Sequence, residues 1–382
     1  MIFPSFGDAD KFRQIGLSCF KSLTEDTMPY YGCIDQIRPI GASLYFSIGH
    51  LLGLDSTNYA YFYLCLNIIW FLIIGLLLVY TSVECGMFKS KIPTIVSAIS
   101  IVLVLIVSFA GHIPVLLSDL PAFGILSIGI MFFFKTYKKR KRFAFIIFGI
   151  FVGLSILVKQ STIIFGAVFF ISYAVLEFGK RKGNKKEALN WLFKAGVYCL
   201  IGVSISSLQF LAIFLNYGDF WLYSRAGLEH HNVLINQYEL IAYSLPINSA
   251  YLASVSNDIN IFTAFLLRFH SGLSQLTIPV YIGGYANSNP PLKTLKIIDY
   301  FTITLFFGFV SSFVVVFIKK NKFKFLKLLV LASYLFSILT AMTSHTEVRY
   351  YAFPKLFLMI GLIYSIYFIF YNKRERDENT IQ

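Results

Sequence analysis

Charge is scarce in this chain. Only 14% of its 382 residues are Asp, Glu, Lys or Arg, while 57% are hydrophobic. An ordinary soluble domain is about a quarter charged, so this composition excludes one, and its apolar wealth excludes a disordered chain. Cysteine is also scarce, at five residues. Cys65 and Cys199 fall in apolar runs and Cys85 in a basic connection. Cys19 and Cys33 share the first polar segment, where a disulfide is permitted, although two residues do not make a framework. No His and Cys spacing of metal-ligand type occurs. Alternating barrel strands are missing, and so are internal repeats of the kind built into many transporters.

What is present instead is a series of apolar runs, about 17 to 23 residues long, each long enough to span a bilayer as helix. The expected fold is all-α: a polytopic helical membrane protein with about nine transmembrane helices. The spans are expected near Tyr59–Thr81, Ile92–Ala110, Leu120–Phe134, Phe143–Val158, Thr162–Phe178, Ala195–Leu215, Ile298–Ile318, Leu328–Met342 and Ala352–Tyr371. A further apolar stretch, Ile261–Ile282, is interrupted by Arg268, His270 and Pro279 and reads as re-entrant or interfacial. The organisation is then an outer segment 1–58, a six-span core 59–215, an outer region 216–297, three spans in 298–371 and a cytoplasmic tail 372–382.

The formal charge of +14 resembles a nucleic-acid signal until it is mapped. Connections 82–91, 135–142, 177–194, 319–327 and the tail hold 22 of the 33 Lys and Arg but six of the 19 acids. They alternate with the other connections, as the positive-inside rule requires. The charge therefore orients the chain, with its start outside and its tail in the cytoplasm, and calls for no nucleic-acid partner. Residues 1–58 begin outside with no span before them, so an earlier span is expected to be missing. Within that segment Phe12, Ile15, Cys19, Phe20 and Leu23 recur at helical spacing opposite Lys11, Arg13 and Lys21. That pattern predicts an amphipathic helix suited to a membrane surface.

Polar residues that could carry chemistry gather on the expected outer face. Asp8 and Asp10, in "FGDADKF", could supply a general base and a ligand for a metal or sugar hydroxyl; they could equally be a solvated helix cap. Asp119, between Ser118 and Pro121, suits an N-cap with proline in the first turn, and a cap would also hold a carboxylate rigidly at the surface. Lys159 and Gln160 break the apolar run between Phe143 and Phe178 and so mark an outer turn. A cation at that depth can meet a lipid phosphate. In "SHTEVRYYAFP", His345, Glu347, Arg349 and Tyr350 fall in another outer turn. Arginine can hold a phosphate through paired donors, and the alternative is a self-satisfied Glu–Arg pair in an interfacial tyrosine belt. Arg38, before Pro39, is a weaker element of the same kind.

The order of these pieces resembles the membrane-embedded glycosyltransferases of the GT-C class, in their dolichyl-phosphate-mannose and RgtA/B/C/D-like branch. Asp8/Asp10, "IRPIGASLYFSIGHLLGLD", "LLSDLPAFGIL", "GLSILVKQS" and "EVRYYAFP" correspond in turn to that pattern, most densely over residues 38–175. The chain departs from it where Ile40 stands for the second proline and where Asp-Ala-Asp replaces the usual acidic pair. The resemblance implies a polyprenyl-phosphate-sugar donor, a glycan or lipid-linked acceptor, and an inverting reaction on the outer face of a cell membrane. Asp8 or Asp10 is then the general base. Asp119 orients substrate or shares a divalent metal with the first acids, the need for metal being open. Arg38, Lys159, Gln160, His345, Glu347, Arg349 and Tyr350 become substrate-binding residues, with Lys159 and Arg349 facing the leaving phosphate. Two other readings of the residues remain: a polymerase of lipid-linked glycans, which would use Arg225 and Arg268, and a lipid-glycan flippase or other transporter.

Overall fold

The computed structural model describes residues 7–25, 31–36, 38–84, 91–109, 113, 116–180, 184–219, 276, 307–314, 317, 324–343 and 351–380. Every element among them is helical. Five helical stretches are long and apolar enough to cross a membrane: Ser56–Glu84, Asp119–Tyr137, Lys141–Val158, Thr162–Gly179 and Lys185–Tyr217. They coincide with expected spans one, three, four, five and six. The stretch 261–282 lies almost wholly outside the described residues.

The chain divides into two compact units, the first comprising 1–74, 109–236 and 281–287 and the second 75–108, 237–280 and 288–382. In the first unit, a 3₁₀ turn at Tyr31–Cys33 lies between helices α1 (Gly7–Glu25) and α2 (Ile40–Leu51). Helix α3 (Ser56–Glu84) gives its first part, to Ile74, to this unit and the rest to the second. With helix α4 (Lys91–Phe109) assigned to the second unit, the first continues with α5 (Asp119–Tyr137), α6 (Lys141–Val158), α7 (Thr162–Lys180) and α8 (Lys185–Val203). A 3₁₀ turn at Ser204–Ser206 then leads into α9 (Ser207–Tyr217), which ends at Gly218 in the left-handed conformation.

Two kinds of packing build this unit. Along α5, α6 and α7 the core is aromatic: Phe133 meets Phe145, Phe148 and Phe169 with ring centroids 5.2, 5.6 and 5.3 Å apart. Tyr137 and Tyr173 share a hydrogen bond of 3.0 Å at its end, and Trp191 of α8 donates to Tyr173 at 2.8 Å. Between α6 and α8 the packing is backbone to backbone. A Cβ on Gly149 would run into the Cys199 carbonyl, one on Gly202 into the Ile146 carbonyl, and one on Gly153 into Ile205. Gly149 and Gly153 are the small-x-x-x-small pair that lets apolar helices approach closely without a hydrophobic drive between them.

The amphipathic α1 forms as expected, with Phe12, Ile15 and Cys19 buried and Lys11 and Arg13 exposed. Its apolar face does not wait for a membrane surface, however. Phe12 and Ile15 join Ala42 and Phe46 of α2, Tyr59 and Tyr63 of α3, and Leu116 and Leu117 in one core. Cys19 and Cys33 are disulfide-bonded, closing the loop between α1 and the 3₁₀ turn. Tyrosines tie α2 to α3: Tyr59 Oη donates to the Phe46 carbonyl at 2.9 Å and Tyr63 Oη to the Tyr45 carbonyl at 2.6 Å.

In the second unit, Leu105 of α4 lies over Gly75 of α3. Residues 307–314 are helical and lie within the expected span Ile298–Ile318. Helices α10 (Lys324–Thr343) and α11 (Ala352–Thr380) pack together, with Val330 and Ser312 against Gly361.

On the long helices the outward faces are apolar. Leu72 and Leu76 of α3, Ile95 of α4 and Leu200 and Ile201 of α8 are all exposed. Patches of this extent on a soluble protein mark an interaction surface, and on a helical membrane protein lipid covers them.

Candidate functional site

Helix α5 begins one residue earlier than its apolar run suggests. Ser118 is at the cap position, Asp119 is the first helical residue, and Pro121 sits in the first turn, where a missing N–H costs nothing. Ser118 makes no side-chain cap bond. The residue expected at the N-cap therefore lies one position inside the helix, and one of its carboxylate oxygens meets a cation. Lys159 Nζ donates to Asp119 Oδ1 at 2.7 Å, and the two side chains are 13% and 2% exposed.

Lys159 is held there by the turn between α6 and α7. Its N–H donates to the Ser155 carbonyl at 2.8 Å, and its backbone then leaves the helix in an extended conformation. Thr162 Oγ1 donates to the Lys159 carbonyl at 2.7 Å, and Ser155 Oγ donates to Thr162 Oγ1 at 3.0 Å. Gln160, in the same turn, is buried. The turn read from the sequence is therefore a built structure. Its cation meets a carboxylate forty positions earlier.

A buried ion pair is weak evidence for stability, since desolvating two charges offsets most of their attraction. What such a pair does well is hold one charge at a fixed place.

Helix α2 starts at the end of α6, against the turn that carries Lys159. Gly41 lies against the Leu157 carbonyl with no room for a Cβ. The Ile40 N–H donates to Gln209 Oε1 of α9 at 2.9 Å. Proline at position 40 could not make that bond. Just before it, the Arg38 N–H donates to Asp35 Oδ1 at 2.7 Å, and the Arg38 guanidinium lies 5.0 Å from the Phe12 ring centroid. Arg38 is thus braced by α1 through a cation–π contact.

Farther along α2, His50 packs 4.6 Å from Tyr59 and 6.2 Å from Phe20, ring centre to ring centre. Burial lowers its pKa below the ordinary 6.5, partly opposed by a hydrogen bond with the Arg13 backbone. Burial pushes the Tyr45 hydroxyl well above its usual range, although a hydrogen bond from Trp70 pulls the other way.

The structure brings Asp119 and Lys159 into contact, buries Gln160 beside them, and sets Arg38 at the foot of α2. Asp8 and Asp10 lie in the first turn of α1, inside the helix and not ahead of it, with Asp10 exposed. Acids there are favoured by the helix dipole whatever else they do. His345, Glu347, Arg349 and Tyr350 lie outside the described residues. Among the described residues no three His, Cys, Asp or Glu side chains converge as a metal-ligand set.

Two buried polar residues escaped the sequence reading. Gln209 anchors the start of α2, and Lys355 is buried in α11. Each is a polar group inside an expected span, a signal that by default marks function or a specific partner.

No protein-family model, curated protein or solved structure matches this chain.

Proposed function

We propose that the protein is a membrane glycosyltransferase of GT-C type. It moves a sugar from a polyprenyl-phosphate donor to a glycan or lipid-linked acceptor on the outer face of a cell membrane. The observation that carries this reading is the buried Lys159–Asp119 pair at the mouth of α5 and α6. Such a cation suits the phosphate of a lipid-linked sugar, which resides at that depth.

In this mechanism the acceptor hydroxyl oxygen attacks the anomeric carbon as the bond to the phosphate oxygen breaks, inverting the configuration. The hydroxyl proton passes to the carboxylate of Asp8 or Asp10, and polyprenyl phosphate departs. Lys159 stabilises the negative charge that builds on the leaving oxygen. Asp119 acts as a positioning residue, holding the ammonium in register, and Gln160 in the same turn takes a substrate-binding role. Arg38, His345, Glu347, Arg349 and Tyr350 take substrate-binding roles on the motif alone.

The reading carries a topology of nine spans, the start of the chain outside and its tail in the cytoplasm. The Cys19–Cys33 disulfide supports an outer location for α1, since disulfides persist in oxidising compartments.

The test is transfer of a labelled sugar from polyprenyl phosphate in membranes containing the full chain. Lys159→Gln is expected to lower turnover about a hundredfold or more, the scale of losing one charge-stabilising donor. Asp8→Asn and Asp10→Asn are not expected both to retain full transfer. Undiminished transfer in Lys159→Gln membranes would refute the phosphate role.

A further inference from the structure

At the opposite end of α6 from Lys159 lies a second basic site. The connection between α5 and α6 supplies Arg140, Lys141 and Arg142, which with Phe143 and Trp191 line an open cavity of about 430 Å³. Arg140 stands at the N-cap of α6 and gives its first turn no side-chain acceptor. The N–H groups of that turn therefore add their partial positive charge to the cations. None of the three cations has an ion pair among the described residues. Arg140 and Lys141 instead rest near the rings of Phe143 and Tyr137, at 5.9 and 5.7 Å. The back wall is fixed, because Trp191 is held by Tyr173 and packs on Phe145.

From this charged mouth an apolar track leads along the helix. Phe143, Ile147 and Ile150 fall on one face of α6 at positions i, i+4 and i+7, with Phe143 and Ile150 exposed. A cationic cavity continuous with an apolar stripe has the two-part chemistry of a phospholipid.

We infer that Arg140, Lys141 and Arg142 form a binding site for the phosphate headgroup of an anionic phospholipid, whose acyl chain lies along Phe143, Ile147 and Ile150. The site is independent of the transferase reading. Orientation by positive charge accounts for the number of cations in this connection, but not for a cavity with an aromatic wall or for the stripe leading from it. Free phosphate would leave the stripe without a purpose.

The experiment uses the full chain purified in detergent, with native mass spectrometry counting retained phosphatidylglycerol and phosphatidylcholine of identical acyl chains. Preferential retention of phosphatidylglycerol is expected. Arg140→Gln and Arg142→Gln, made singly, leave the other five cations of the 135–142 connection to preserve insertion. Each is expected to weaken retention about fivefold, the share of one basic residue near a charged membrane surface. Phe143→Ala keeps every charge and alters only an exposed wall residue, and it too is expected to weaken retention. Lys185→Gln/Lys186→Gln, which removes exposed cations from the start of α8, is expected to leave retention unchanged.

Equal retention of both lipids would overturn the site. So would an unaffected Phe143→Ala protein, or an equal loss from the α8 variant. Full displacement of the lipid by millimolar inorganic phosphate would assign the cavity to a free anion and overturn the lipid.

Discussion

Asp119 and Lys159 show how much one contact changes the meaning of two residues. Alone, Asp119 read as a helix cap and Lys159 as a cation able to meet a lipid phosphate. Together they make a buried pair at 2.7 Å. Removing one partner strands the other charge, so Asp119→Ala and Lys159→Ala are each expected to lower stability by about 3 kcal/mol or more. Replacing both, as Asp119→Leu/Lys159→Met, is expected to restore most of that stability while leaving transfer abolished. Denaturant unfolding in detergent and the transfer assay separate the two effects. A double variant that recovers transfer as well would make the pair purely structural. Arg349→Lys is expected to weaken donor use without affecting insertion, and unchanged donor affinity would remove its phosphate role. His50 gives a pH effect. Its folded pKa lies below the ordinary 6.5, so the unfolded chain takes the proton first as pH falls. Stability is therefore complete above about pH 6.5 and declines below it. His50→Gln is expected to flatten that decline in thermal unfolding between pH 7 and pH 5.

Among the elements, the close approach of α6 and α8 is the most sensitive to substitution. Gly149→Leu would force a side chain into the Cys199 carbonyl and is expected to destabilise the fold by about 2 kcal/mol or more, read as a fall in the unfolding midpoint. The apolar runs that become α6 and α8 were legible, but their meeting at Gly149 and Gly202 was not, because nothing in one chain's periodicity says which helix faces which. The same limit applies to α1. Its apolar stripe was legible down to Phe12, Ile15 and Cys19, yet the stripe alone did not reveal that α2 and the start of α3 cover it. Long apolar helices were legible because a bilayer imposes their length. The Lys159–Asp119 contact was not, since forty residues and a full helical hairpin intervene. Cys19 and Cys33 were only permitted to pair by their shared polar segment, and in the structure they are bonded.

Across the whole molecule the positive-inside rule predicts an orientation from the basic connections, and the transferase reading needs that orientation to be right. Arg140→Cys is expected to be labelled by a membrane-impermeant thiol reagent only after the cytoplasmic face is opened. Labelling of intact cells at that position would invert the topology, placing Lys159 and Asp119 on the wrong side for a donor exposed outside. The single measurement that bears most directly on the account is mass spectrometry of lipid-linked and surface glycans from cells with and without this chain. The account predicts loss of one sugar from an otherwise intact glycan, with its polyprenyl-phosphate donor accumulating and restored consumption on returning wild-type chain but not the Lys159→Gln variant. An unchanged glycan profile would contradict it, and accumulation of single repeat units without long chains would replace the transferase with a polymerase.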